Sequence, residues 1–139
     1  MAKDIYHYIV KEALEKDGWT ITQDPLLLLD KPMKIDYEID LGAEKLLVAE
    51  KDNQKIAVEI KSFLKTSFLN EFHSILGQYL VYQEGLLRLE PDRILYLAIP
   101  KFADTRLEEY KFLQELISQY HLKIIVFDEK THTILTWKS

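Results

Sequence analysis

The sequence contains no cysteine. That one absence excludes disulfides, thiolate metal sites, cysteine nucleophiles and dithiol redox chemistry together. No apolar run approaches the ~20 residues that a membrane-spanning helix requires. The opening Met1-Ala2-Lys3-Asp4-Ile5 lacks the apolar stretch of a secretory signal, so a cytoplasmic address is the expectation. Glycine and proline number only four each, and no repeat, low-complexity tract or linker divides the chain. Positive charge is also in short supply. Lys and Arg total 18 against 23 Asp and Glu, a formal net charge of -5, which argues against nonspecific coating of nucleic acid, because that affinity comes largely from basic residues displacing counterions. Any DNA contact has to be local, and a metal-dependent nuclease, whose carboxylates hold cations, remains compatible.

What is present reads as one globular unit. Of the 139 residues, 47% are hydrophobic and 29% charged, close to globular averages. A chain of this length buries roughly 70% of its unfolded surface, and a single domain over 1–139 is expected.

Helical spacing of Ile5, Tyr8, Ile9, Ala13 and Leu14 predicts a first helix from Asp4 to Asp17, closed by Gly18. Trp19-Thr20-Ile21-Thr22 alternates, Pro25 interrupts, and Leu26 to Leu29 resumes, as in a strand that breaks or lies at an edge. Lys45 to Lys51 and Lys55 to Ser62 flank a polar joint and predict an antiparallel hairpin. A broad apolar stripe from about Ser67 to Leu87 predicts a buried helix. The continuous run Arg93 to Ile99 suits a central strand covered on both faces. A helix from Asp104 to Tyr120, a strand from Lys123 to Phe127 and a short strand from Thr133 to Trp137 complete the order, with strand-helix-strand implying a right-handed parallel crossover.

The chemistry-bearing pattern is Ala57-Val58-Glu59-Ile60-Lys61. Strand alternation puts Ile56, Val58 and Ile60 on a core face and Ala57, Glu59 and Lys61 on the other, ionic face. Upstream, Asp40 completes D-x18-E-x-K. Two carboxylates can hold Mg²⁺ or Mn²⁺ against a scissile phosphate, the Ile60 carbonyl is a third oxygen donor, and Lys61 can orient a water or stabilise developing charge. Hydrolysis of a phosphodiester is the implied reaction. The plainer reading is a solvated cross-strand ion pair worth under about 1 kcal/mol. Asp36 and Glu38 share the extended-chain face of Asp40, and Asp36 is the competing metal ligand, with Asp40 preferred. Gln78 and Tyr82, one helical turn apart, either both face the site or are a core tyrosine with a glutamine at its margin. Glu12 reads as a solvated helix position with the site as an alternative. His7, His73, His121 and His132 show no metal-ligand spacing and receive no role. Trp19 and Trp137 read as core or boundary aromatics.

Taken together, Lys3 to His7, Asp17 to Thr22, Ile39 to Glu44, Ala57 to Phe63, Gly77-Gln78-Tyr79, Leu95 to Ala98 and Val126-Phe127-Asp128 make the sequence resemble the XisH family, small cyanobacterial controlling factors for excision of the fdxN element. The resemblance implies an α/β restriction-endonuclease-like, PD-(D/E)xK, three-layer fold with a mixed central sheet flanked by helices. It also implies a role beside a site-specific recombinase in programmed DNA rearrangement in heterocysts, usually with an XisI-like protein. Asp40, Glu59 and Lys61 carry over as nuclease residues, and Gln78 and Tyr82 resemble the Q-x-x-x-Y element of RecB-type nucleases. No proline precedes Asp40, so the motif's leading residue is absent. Three functions are compatible: a Mg²⁺-dependent DNA endonuclease, a noncatalytic DNA-binding accessory, and a protein-interaction module. Self-association is left open.

Overall fold

The computed structural model describes residues 2–46 and 53–139. Along the chain it forms α1 (Ala2–Lys16), β1 (Thr20–Gln23), β2 (Leu26–Asp30), β3 (Ile35–Ile39), β4 (Leu41–Leu46), β5 (Asn53–Ile60), α2 (Phe68–Leu89), β6 (Arg93–Pro100), α3 (Lys101–Glu108), α4 (Lys111–Gln119), β7 (Ile124–Asp128) and β8 (Thr133–Lys138). The architecture is mixed α/β. Six strands make one sheet in the order β1-β4-β5-β6-β7-β8, and β2 and β3 make a separate antiparallel pair. Within the large sheet β5, β6 and β7 run parallel while both flanks are antiparallel.

Alternating residues of the central strands feed two cores. On one face Leu41, Ile56, Val58, Ala98 and Phe127 pack under α1 through Ile9, Val10 and Leu14. On the other, Leu95, Leu97, Ile99 and Val126 meet Phe72, Ile75, Tyr79 and Leu86 of α2, with α3 and α4 contributing Leu107 and Leu113. Helices therefore flank both faces. At 25 cal/mol per Å² of apolar area, each fully buried large side chain contributes about 2 kcal/mol toward this arrangement.

Several local features differ from the sequence expectation. The first hairpin strand begins at Leu41, pairing Leu41 to Leu46 with Val58 to Asn53. The expected strand Lys45 to Lys51 lies mostly outside the described residues. The break at Pro25 does more than mark an edge. β1 forms the outer strand of the main sheet, and β2 leaves it to pair with β3. The single helix expected from Asp104 to Tyr120 is two helices, because Tyr110 takes an extended conformation (φ -108°, ψ 93°) and stacks on Phe68 at 5.7 Å between ring centres. Ala57 and Glu59 do not lie on an exposed ionic face. Both are buried, at 0% and 7% exposure, since α2 covers that side of the sheet.

Gly42 and Arg93 approach one another from two interior strands of the large sheet. Gly42 lies where a Cβ would come 3.3 Å from Gln23 Cβ and 3.4 Å from Arg93 Nη1. That close approach admits the buried Arg93, which donates to the Ile56 carbonyl and to Glu90 Oε1, each at 2.9 Å. Arg93 thereby ties β6 to β5 and to the end of α2.

Candidate metal and phosphodiester site

Asp40 occupies the one-residue bend between β3 and β4, and its neighbours Ile39 and Leu41 are both fully buried. With the flanking side chains turned into the two cores, the carboxylate points along the sheet edge, and Asp40 Oδ2 accepts from the Ile60 N–H at 2.7 Å. Glu59 is opposite Leu97 in the parallel register of β5 and β6. The next residue but one, Lys61, extends that ladder through its N–H to the Ala98 carbonyl at 2.9 Å. Its ammonium lies 3.3 Å from Glu59 Oε2. The other carboxylate oxygen, Glu59 Oε1, is buried without a hydrogen-bond partner among the described residues.

Burial, reinforced by the charge of Asp40 and opposed by Lys61, pushes the Glu59 carboxyl up to about 7. A carboxylate held in this state is relieved by a cation more than by any neutral partner.

Asp40, Glu59, Ile60, Lys61, Gln78 and Tyr82 line one cleft of about 370 Å³. Gln78 Nε2 donates to the Tyr82 hydroxyl at 2.8 Å. Tyr82 is buried to 7% exposure and tilts against Tyr37 at 5.6 Å. Its hydroxyl pKa is raised by burial and then by the charge of Glu59. The loop after β5 turns at Phe63, which adopts φ 58° yet is buried against Phe68 at 4.8 Å. A bulky side chain in the left-handed region is uncommon and persists where packing over-determines it. Here that turn directs Lys61 and Lys65 to the cleft. Buried Glu71 steadies the loop by accepting the Lys65 N–H at 3.2 Å.

A divalent cation fits this donor set. Among the described residues no three His, Asp or Glu side chains group as metal ligands; at this cleft the residues that would hold a cation are Asp40 and Glu59, through their carboxylates, and Ile60, through its carbonyl. One or two carboxylates with several waters is the ordinary coordination of Mg²⁺.

The XisH protein family matches residues 1–135 of the sequence. The chain belongs to the XisH family. Two solved relatives share the fold over nearly their whole length. One is an XisH family protein from Nostoc punctiforme PCC 73102, 37% identical, with a TM-score of 0.86 over 98% of this chain and 100% of that one. Another is a fdxN element excision controlling factor protein from Anabaena variabilis, 39% identical, with a TM-score of 0.85 over 98% and 99%. No curated protein matches.

Of the XisH blocks noted in the sequence, Ile39 to Glu44, Ala57 to Phe63 and Gly77-Gln78-Tyr79 meet around this cleft. Tyr79 itself is a core residue, donating to the Leu95 carbonyl at 3.0 Å and accepting the Lys123 N–H at 3.1 Å. Asp36 is exposed in β3 opposite Leu29 and does not line the cleft, whereas Glu38 does. Glu12 is also elsewhere, 2.6 Å from His132 Nδ1 at the turn before β8. His7 reaches the cleft although its spacing suggested no role. The start of α1 overhangs this end of the sheet, and His7 Nε2 lies 2.8 Å from Asp24 Oδ1. Tyr6 lines the same wall and donates to Glu129 Oε2 at 2.9 Å. Glu71 was missed too. An acidic residue between Phe68 and Phe72 in the first turn of a buried helix is the sequence signal that marks it.

Proposed function

We propose that this XisH protein is a divalent-cation-dependent DNA phosphodiesterase on a restriction-endonuclease-like, PD-(D/E)xK scaffold, and that it serves the excision of a DNA element. The observation that carries the proposal is the buried Oε1 of Glu59, without a hydrogen-bond partner among the described residues and beside Asp40, with the Lys61 ammonium 3.3 Å from the other oxygen. The excision role rests on the relative from Anabaena variabilis, a fdxN element excision controlling factor protein.

Asp40 and Glu59 would hold Mg²⁺ or Mn²⁺ with the Ile60 carbonyl. The bound ion supplies neutralisation of phosphate charge and a more acidic water. Glu59 must give up its proton to act as a ligand, so metal loading strengthens as pH rises through about 7. Lys61 orients the attacking water and stabilises the charge that develops on the phosphate. Gln78 and Tyr82, already hydrogen-bonded to one another, supply an amide and a hydroxyl at the cleft wall for the phosphate oxygens.

A purified protein that nicks or cuts linear, supercoiled or branched DNA with Mg²⁺ or Mn²⁺, and loses at least about a hundredfold in rate on Lys61→Ala, is the expected result. Absence of cleavage on every DNA form contradicts it. A second reading, an accessory without turnover that works through an XisI-like protein or a recombinase, is favoured by the net charge of -5. Copurification of such a partner without cleavage or DNA affinity distinguishes it.

A further inference from the structure

At the other end of β5 a second cavity, of about 400 Å³, is walled by Trp19, Tyr96 and Trp137. It is separate from the candidate metal site. Gln54, Lys55 and Ile56 line it, whereas Glu59 to Lys61 line the first, and the three strand positions from Ile56 to Glu59 span roughly 10 Å. Its aromatic wall is built by the fold. Gly18, at φ 91°, ends α1 in the left-handed region that favours glycine, and the reversed chain lets the Trp19 N–H donate to the Leu14 carbonyl at 3.0 Å. Trp19 lies 5.7 Å from Trp137, tilted by 34°, and Tyr96 meets Trp137 edge-on at 5.0 Å. Lys45 caps the Trp19 ring at 5.7 Å and is fixed there by donating to the Asp17 carbonyl at 3.0 Å.

Two features point to a ligand. Trp19 is 8% exposed, and its indole Nε1 is buried without a hydrogen-bond partner among the described residues. Buried polar atoms in native proteins are nearly always paired. Among the described residues the two side-chain atoms left over, Glu59 Oε1 and Trp19 Nε1, belong to residues of the two cavities. The rim of the second cavity carries Lys45 and Lys55 with Asp17 and Asp92, so its charges balance. Aromatic faces, one unmet N–H donor and a rim of mixed donors and acceptors match a flat heterocycle with both kinds of polar edge.

We infer that the cavity of Trp19, Tyr96 and Trp137 binds an unpaired nucleobase. Stacking against the rings supplies affinity with little sequence preference, and Lys45 and Lys55 of the lining supply positive charge for an attached phosphate. A base inside a duplex is excluded, because both its faces and its pairing edge are occupied. The base comes either from a free nucleotide or from single-stranded DNA.

Trp19 and Trp137 are the chain's two tryptophans, so intrinsic tryptophan fluorescence reports on this cavity alone. Titrations of the full chain in EDTA, which keeps them independent of the metal site, use deoxyadenosine monophosphate, a single-stranded oligodeoxyadenylate, and the same strand in a duplex. Saturable quenching by the first two and not by the duplex is expected. A strand about tenfold tighter than the mononucleotide identifies single-stranded DNA as the source, and equal affinity per base identifies a free nucleotide. Tyr96→Leu and the half-exposed Lys55→Ala each weaken binding about tenfold. The inference is overturned by no saturable quenching with any probe, by equal quenching with the duplex, or by unchanged affinity in both variants.

Discussion

Glu59 has one carboxylate oxygen beside the Lys61 ammonium and the other buried without a hydrogen-bond partner among the described residues. Burial raises its pKa from 4.5 to about 7, so between those values the folded state holds a proton that the unfolded chain releases. Stability is then full below pH 4.5 and falls as pH rises toward 7, where the loss levels off. Glu59→Gln removes the titration while keeping the shape. In urea denaturation without metal, the variant is expected to be more stable than the wild type by about 2 kcal/mol at pH 8, with the difference shrinking toward pH 5. An equal difference at both pH values would show that the carboxyl is not strained.

At the scale of elements, the loop between β5 and α2 and the long helix itself position the site. Phe63 fixes the turn through its burial against Phe68. Its replacement by alanine removes a packed ring from a left-handed position and should cost about 3 kcal/mol by chemical denaturation. Slower DNA cleavage at temperatures where the variant remains folded is also expected, because Lys61 and Lys65 lose their anchor. Gly77 and Gly85 of α2 provide a contrast. A Cβ at Gly77 meets nothing within 4 Å, whereas one at Gly85 meets Leu28 Cδ1 at 3.2 Å. Gly77→Ala should therefore stabilise the protein by about 1 kcal/mol, the full helix-propensity gain, and Gly85→Ala by clearly less. Equal gains in thermal unfolding would mean that the β2-β3 pair yields freely to the helix.

Over the whole molecule, the elements with strong periodicity were legible in the sequence. The apolar stripe of α2 and the continuous run of β6 have one reading each, and Asp40, Glu59, Lys61, Gln78 and Tyr82 do converge on one cleft. What escaped depends on tertiary placement. The sequence from Leu41 to Lys51 offers more than one start for a strand, and only pairing with β5 selects Leu41. Tyr110 breaks a helix to reach Phe68, a contact 42 residues away that no local pattern records. His7 and Glu71 join the cleft through the docking of α1 and α2, and neither has ligand spacing of its own.

Residues from the β3-β4 bend, the end of β5, the following loop and the middle of α2 meet at the cleft, so a cation bound there draws on the whole fold and stabilises it by mass action. Calorimetric titration of Mg²⁺ and of Mn²⁺ into the wild type and Glu59→Ala at pH 8 tests this most directly. One saturable site in the wild type, weakened by at least about tenfold in the variant and at pH 6, is the expected result. Absence of binding in the wild type, or equal binding in the variant, would contradict a metal site at Asp40 and Glu59 and leave the cluster as a buried ion pair.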